Sequence, residues 1–263
     1  MLQSKKNVGA HTVRQFSGGN TMAGHSKWKN IRERKGKSDA QRGKIFTKIS
    51  REMSVAVKEG GSDPDSNARL REAIAKARAA NVPNDNIKRT IEKAAGGGDG
   101  TTYEENTYEG YGPAGVAVIV ETMTDNKNRT ASDIRLYFDK YGGNLGTAGC
   151  VSWSFDKKGL IVVDNEAGKL TEETVLLDAL EAGAIDFEPD EGMFAVYTGP
   201  EQFGTVRIAL EEKGYTFLSA EIAMIPQNHI KLETEEDIKK MEKLLSMLED
   251  SDDVQNIWHN WEE

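Results

Sequence analysis

Stepped at about 100° per residue, residues 40–59 separate into two faces. Ile45, Phe46, Ile49, Met53, Ala56 and Val57 fall on one face, and Lys44, Lys48, Arg51 and Lys58 on the other. This predicts an amphipathic helix whose polar side is a cationic stripe turned to solvent. Gly60-Gly61 stops it, and residues 63–66 (DPDS) offer cap-type side chains to a second helix. That helix turns Leu70, Ile74 and Ala77 inward and Arg69, Lys76 and Arg78 outward. After a turn and new cap at residues 81–84 (NVPN), a third helix has Ile87 and Ile91 inside and Lys88, Arg89 and Lys93 outside. A small three-helix bundle with a basic surface is expected.

Residues 94–102 (AAGGGDGTT) read as a flexible hinge. Beyond it, helical and strand periods mix. Residues 115–123 (GVAVIVETM) form a buried strand; Ala131, Ile134, Phe138 and Tyr141 keep helical spacing up to Gly142-Gly143; residues 150–155 (CVSWSF) predict a second strand. Strands at 160–163, 184–188, 193–197 and 215–224 then interleave with helices at 172–181 and 203–212. The order β-α-β-β-α-β is that of a ferredoxin-like unit. A short strand at 229–232 follows, then a helix capped by Thr234 with Asp237 in the box position, and a last strand at 254–258. These late pieces complete the pattern begun at Tyr103.

The expected fold class is therefore α+β and multidomain: an N-terminal three-helix bundle followed by two α+β domains, one ferredoxin-like (βαββαβ) and inserted in the other. The expected boundaries are a disordered leader at 1–21, the basic helical domain at 22–98, the host domain at 99–156 plus 226–263, and the insert at 157–225. Residues 1–21 contain no acidic side chain and no signal-peptide core, and their single arginine gives a transit peptide little support. Met22 is the expected natural start.

Charge sharpens the division. The 263 residues have a net charge of −9, but residues 1–95 hold 21 Lys/Arg against 9 Asp/Glu, a net of +12. Residues 96–263 hold 13 against 34, a net of −21. Such asymmetry points to a polyanion at the basic end, held in one orientation because the acidic end is repelled. The candidate nucleic-acid-binding residues are Lys27, Trp28, Lys29, Arg32, Arg34, Lys35, Lys37, Arg42, Lys44, Lys48 and Arg51. Ahead of Ile45 this segment has no long apolar spacing, so it reads as an arm that orders on a phosphate backbone. Trp28 has two open roles, stacking on a base or docking on the bundle.

Other chemistry finds little support. Residues 110–115 (GYGPAG) spell G-x-G-x-x-G, but the loop opens a strand rather than the helix a dinucleotide requires, and Pro113 removes an amide. The carboxylates are numerous without forming a local acid/base pair, which leaves an enzyme with a carboxylate-lined cleft as a remote alternative. One cysteine, Cys150, excludes an internal disulfide and fits a reducing compartment. The four histidines show no metal-ligand spacing, so no metal and no cofactor is expected. No run approaches the roughly 18 apolar residues of a membrane span. Residues 124–130 (TDNKNRT) sit where a strand gives way to a helix, and Lys127, Asn128 and Arg129 are a candidate anion site there.

Residues 22–28 (MAGHSKW), 43–48 (GKIFTK), 81–87 (NVPNDNI), 108–113 (YEGYGP), 124–130 and 254–256 (VQN) resemble the YebC/PmpR family, in order and over residues 22–263. That family also includes a mitochondrial translational activator of cytochrome oxidase. The resemblance implies the three-domain fold read above and no dehydrogenase activity. It further implies a cytoplasmic, non-enzymatic regulator of transcription that binds DNA, or a translation factor that binds ribosomal RNA. In either case the acidic domains would meet protein partners. The oligomeric state is left open.

Overall fold

In a computed structural model, residues 39–96 and 101–262 are described. The chain opens with helices α1 (Asp39–Gly60), α2 (Ala68–Ala79) and α3 (Asn84–Ala95). Their core contains Met53, Ala56, Leu70, Ala73, Ala77 and Ile87, all buried. Three of these are alanines, which bring the helices close together. The cap of α2 is Asn67 rather than a residue of 63–66. Its side chain accepts from Leu70 N at 3.0 Å and donates to the carbonyls of Ala56 and Gly61 at 2.7 and 2.8 Å. One buried amide thus ends α1 and starts α2.

Strands β1 (Glu104–Tyr111) and β2 (Ala117–Thr124) form an antiparallel hairpin. The GYGPAG segment supplies the last two residues of β1 and then the turn, which bends through a 3-10 turn at Pro113–Gly115 and opens no helix. Helix α4 (Lys127–Lys140) and the short β3 (Asn144–Leu145) follow. The expected strand at 150–155 is corrected. Ser152–Ser154 is a 3-10 turn, and the strand β4 (Phe155–Asp164) begins only at Phe155.

From β4 the chain runs through α5 (Glu172–Ala182), β5 (Asp186–Asp190), β6 (Met193–Thr198), α6 (Phe203–Glu212) and β7 (Phe217–Pro226). The sheet order β5-β6-β4-β7, antiparallel throughout, is that of the ferredoxin-like unit. Both faces of β4 are buried over residues 159–163, which explains the unbroken apolar run there. Ile161 and Val163 pack with the helix-covered core, and Leu160 and Val162 with the opposite one.

The chain then returns to its host through β8 (Ile230–Lys231), α7 (Glu235–Asp250), β9 (Val254–His259) and β10 (Trp261–Glu262). Strand β9 pairs with β2, giving the host sheet the order β3-β1-β2-β9. Helices α4 and α7 cover it through Ile134, Phe138, Met241, Leu244 and Leu248. The ferredoxin-like unit is therefore inserted within the host sheet. Trp258 of β9 packs against cores of both, on one side Leu160 and Tyr197, on the other Ile119 and Phe155.

Candidate nucleic-acid interface

Lys27, Trp28, Lys29, Arg32, Arg34, Lys35 and Lys37 lie outside the described residues, as does the leader. Arg42 falls within α1. The remaining members of the set, Lys44, Lys48 and Arg51, recur along one side of α1, and that side meets the last turn of α7 and the turn that leads to β9. Lys44 pairs with Asp250 at 2.7 Å, and Lys48 donates to the Glu249 carbonyl at 3.0 Å. Arg51 reaches Asp253 at 2.6 Å and the carbonyls of Asp252 and Met123 at 2.9 and 3.1 Å. Its guanidinium also lies 5.2 Å from the Tyr103 ring centre. Lys58, the fourth cation, donates to the Thr101 carbonyl.

The expectation of a stripe turned to solvent is thus corrected. The stripe is an internal latch between the basic bundle and the acidic host. The physical reason is charge complementarity. The sequence LEDSDD at residues 248–253 places four carboxylates where α7 ends, and the carbonyls of a helix C-terminus attract cations as well.

The candidate anion site at the start of α4 is part of the same latch. Asn126 caps the helix by accepting from Arg129 N at 3.1 Å. Arg129 pairs with Asp125 at 2.7 Å and with Asp253 at 2.9 Å. Thr130 and Thr124 donate hydroxyls to the same Asp253 oxygen at 2.7 and 3.1 Å. The anion held at this helix start is the chain's own Asp253. Lys127 and Asn128 stand exposed beside it. Burial by itself would raise the Asp253 carboxyl, but hydrogen bonds from Arg129, Arg51 and Thr130 outweigh it and hold it at about 2.

The cationic face that stays outward in the bundle is on α3, where Lys88, Arg89 and Lys93 are exposed. Lys88 reaches Glu92 at 3.9 Å, whereas Arg89 and the exposed Arg78 of α2 make no ion pair among the described residues. Arg89, Asn86 and Thr90 of α3 line a groove of about 250 Å³ with Phe46 and Ser50 of α1. Sequence reasoning placed these α3 cations outward without marking them as binding residues.

Among the described residues there is no His/Cys/Asp/Glu group of metal-ligating geometry, and no helix is long and apolar enough to cross a membrane. Glu109 is a buried carboxylate that no sequence feature marked. It accepts the N–H groups of Gly149, Val151 and Ser152 at 2.8, 2.9 and 2.9 Å. Burial raises its carboxyl, and these three donors more than compensate, leaving it below the ordinary range.

Comparison with known proteins covers almost the whole chain. Residues 26–97 match the family model described as the TACO1/YebC protein N-terminal domain, and residues 103–261 that of the TACO1/YebC second and third domain. A probable transcriptional regulatory protein of Finegoldia magna is 56% identical over 241 residues, covering 92% of this chain and 99% of that one. A protein of the same description from Ruminiclostridium cellulolyticum is 57% identical over 242 residues, covering 92% and 97%. The crystal structure of a conserved hypothetical protein from Aquifex aeolicus superimposes with a TM-score of 0.78 at 47% identity, over 86% of this chain and 93% of that one.

Proposed function

The chain belongs to the TACO1/YebC family, and on that footing we propose that it is a non-enzymatic, cytoplasmic regulator of transcription that binds DNA through its basic N-terminal part. The observation that carries this reading is the charge division, +12 over residues 1–95 against −21 over the rest. The latch sharpens it. With Lys44, Lys48 and Arg51 engaged by the host, phosphate contact falls to the arm residues Lys27 to Lys37, joined by Arg78 and Arg89 on the bundle. The acidic domains then contribute no phosphate contact and remain open to protein partners. The names of the relatives support a role in transcription.

Each phosphate neutralised contributes about −0.9 to the slope of log affinity against log salt for duplex DNA. Replacing Lys27, Lys29, Arg32, Arg34 and Lys35 by alanine is expected to weaken duplex binding of every sequence and to flatten that slope by several units. Equal affinity and slope in wild type and variant would refute the assignment of the arm. Crosslinking in cells, with sequencing of both DNA and RNA, checks the polyanion itself. Recovery of ribosomal RNA with no promoter DNA would replace transcription by translation.

A further inference from the structure

Among the exposed large hydrophobic side chains of the described residues, Trp153 is the most exposed, at 69%. Its position is nevertheless fixed. Buried Glu109 gathers the amides of Gly149, Val151 and Ser152, and so holds the backbone that carries it. The indole Nε1 donates to the Cys150 carbonyl at 2.9 Å. The Tyr111 hydroxyl, arriving from β1, donates to the same oxygen at 3.0 Å, and Tyr111 is itself 38% exposed. Gly149 completes the turn with φ +88°, a backbone region that favours glycine.

Two solvent-facing aromatic rings are thus anchored to one carbonyl. Their hydrogen-bonding groups are spent on the protein, so what they present outward is ring face and edge. A ligand that stacks gains contact here at little ordering cost, because the rings are already held. The loop that carries Trp153 brings no charge of its own. Residues 141–155 contain no Asp, Glu, Lys or Arg, within a segment that holds 34 acidic residues. A polyanion repelled elsewhere on the host meets no carboxylate side chain from this loop.

We propose that Tyr111 and Trp153 form a stacking platform for an unpaired base of a single-stranded nucleic acid. Every base has a π face, so the contact tolerates any sequence, whereas bases inside a duplex keep their faces covered. The inference rests on the nucleic-acid reading above and adds to it a second point of contact and a strand state.

The test is fluorescence anisotropy with the full chain and three labelled probes: an oligo-uridine RNA, an oligo-thymidine DNA and a mixed-sequence DNA duplex. Trp153→Ala is expected to weaken single-strand binding about 5- to 100-fold, with Trp153→Phe recovering most of the loss. The salt slope should not change, because stacking releases no counterions. Duplex affinity should stay within twofold. Equal losses on RNA and DNA assign the contact to the base alone, and a loss on one of them adds sugar recognition; both support the platform. Wild-type affinity of Trp153→Ala for single strands, with the arm variant impaired, overturns the platform and leaves the arm standing. Equal loss on duplex and single strands overturns the unpaired-base assignment. Failure of the wild-type protein to bind any of the three probes overturns both readings. Thermal unfolding of each variant confirms that the fold is retained.

Discussion

Lys44, Lys48 and Arg51 put three positive charges on one side of α1, and that side is turned against the acid-rich turn between α7 and β9. Residues 141–155 carry no charge at all, and their Trp153 stands in solvent. A charge run and an apolar side chain therefore occupy the reverse of their usual places. Helical periodicity shows that a stripe exists; it does not show what covers it. A stripe in a chain that also carries a compact cluster of the opposite sign has an internal partner to compete with any external one. An aromatic ring becomes available to a ligand when its polar group is satisfied and its backbone is held, and neither condition leaves a trace in local sequence.

The comparison breaks most readily at Arg51. Truncation to alanine leaves Asp253, whose side chain is 10% exposed, without one of its two cationic partners. Breaking a buried pair in this way is expected to cost about 3–5 kcal/mol, read from the urea midpoint. A loss below about 1 kcal/mol would place Arg51 with ordinary surface cations.

Acid should loosen the two ends of β9 in two stages. The His259 imidazole is lowered to about 4 by burial and by His229 nearby. The unfolded chain takes up that proton near pH 6.5 while the folded chain refuses it, so stability falls from about pH 6.5 down to 4. Asp253 runs the other way in charge. Its folded carboxyl sits at about 2, below an unfolded value near 3.9, so its contribution is complete above pH 4 and is lost as pH falls toward 2. The second stage is expected to remove about 2 kcal/mol. Urea titrations at a series of pH values check both, and a flat profile from pH 7 to 4 would remove His259 from the account.

The smallest effect is expected at Lys44. Its side chain is 40% exposed and that of its partner Asp250 64%. Lys44→Ala should cost less than about 1 kcal/mol and should lose even that in high salt. A larger loss, insensitive to salt, would mean that the edge of the latch is as tight as its centre.

Much of the architecture was legible because burial and period agree. Helix α6 spans Phe203–Glu212, the range its spacing predicts, and the ferredoxin-like order follows from strands and helices that alternate cleanly. Strand β1 escaped notice, since Glu104–Tyr111 reads EENTYEGY and its first four positions are polar side chains at or near the surface. Residues 150–155 misled in the opposite sense: Val151, Trp153 and Phe155 alternate like a strand, yet Glu109, 42 residues from Val151, bends that backbone by binding its amides. For the candidate site, the identity of the cations was readable and their orientation was not. Asp253 decides that orientation, 202 residues from Arg51.

The discontinuous host sheet also sets an order of events during synthesis. The Asn256 side chain of β9 bonds Glu121 of β2 across 135 residues, so the sheet stays unclosed until the insert and α7 have been made. Within the insert the strands find one another over far shorter stretches of chain, so it can condense while β2 still waits for its neighbour. Asp250, Asp252 and Asp253 arrive with that last strand. Until then Lys44 and Arg51 lack the carboxylates that pair with them in the finished protein, and a nascent chain presents more positive charge to nearby polyanions than the finished protein does.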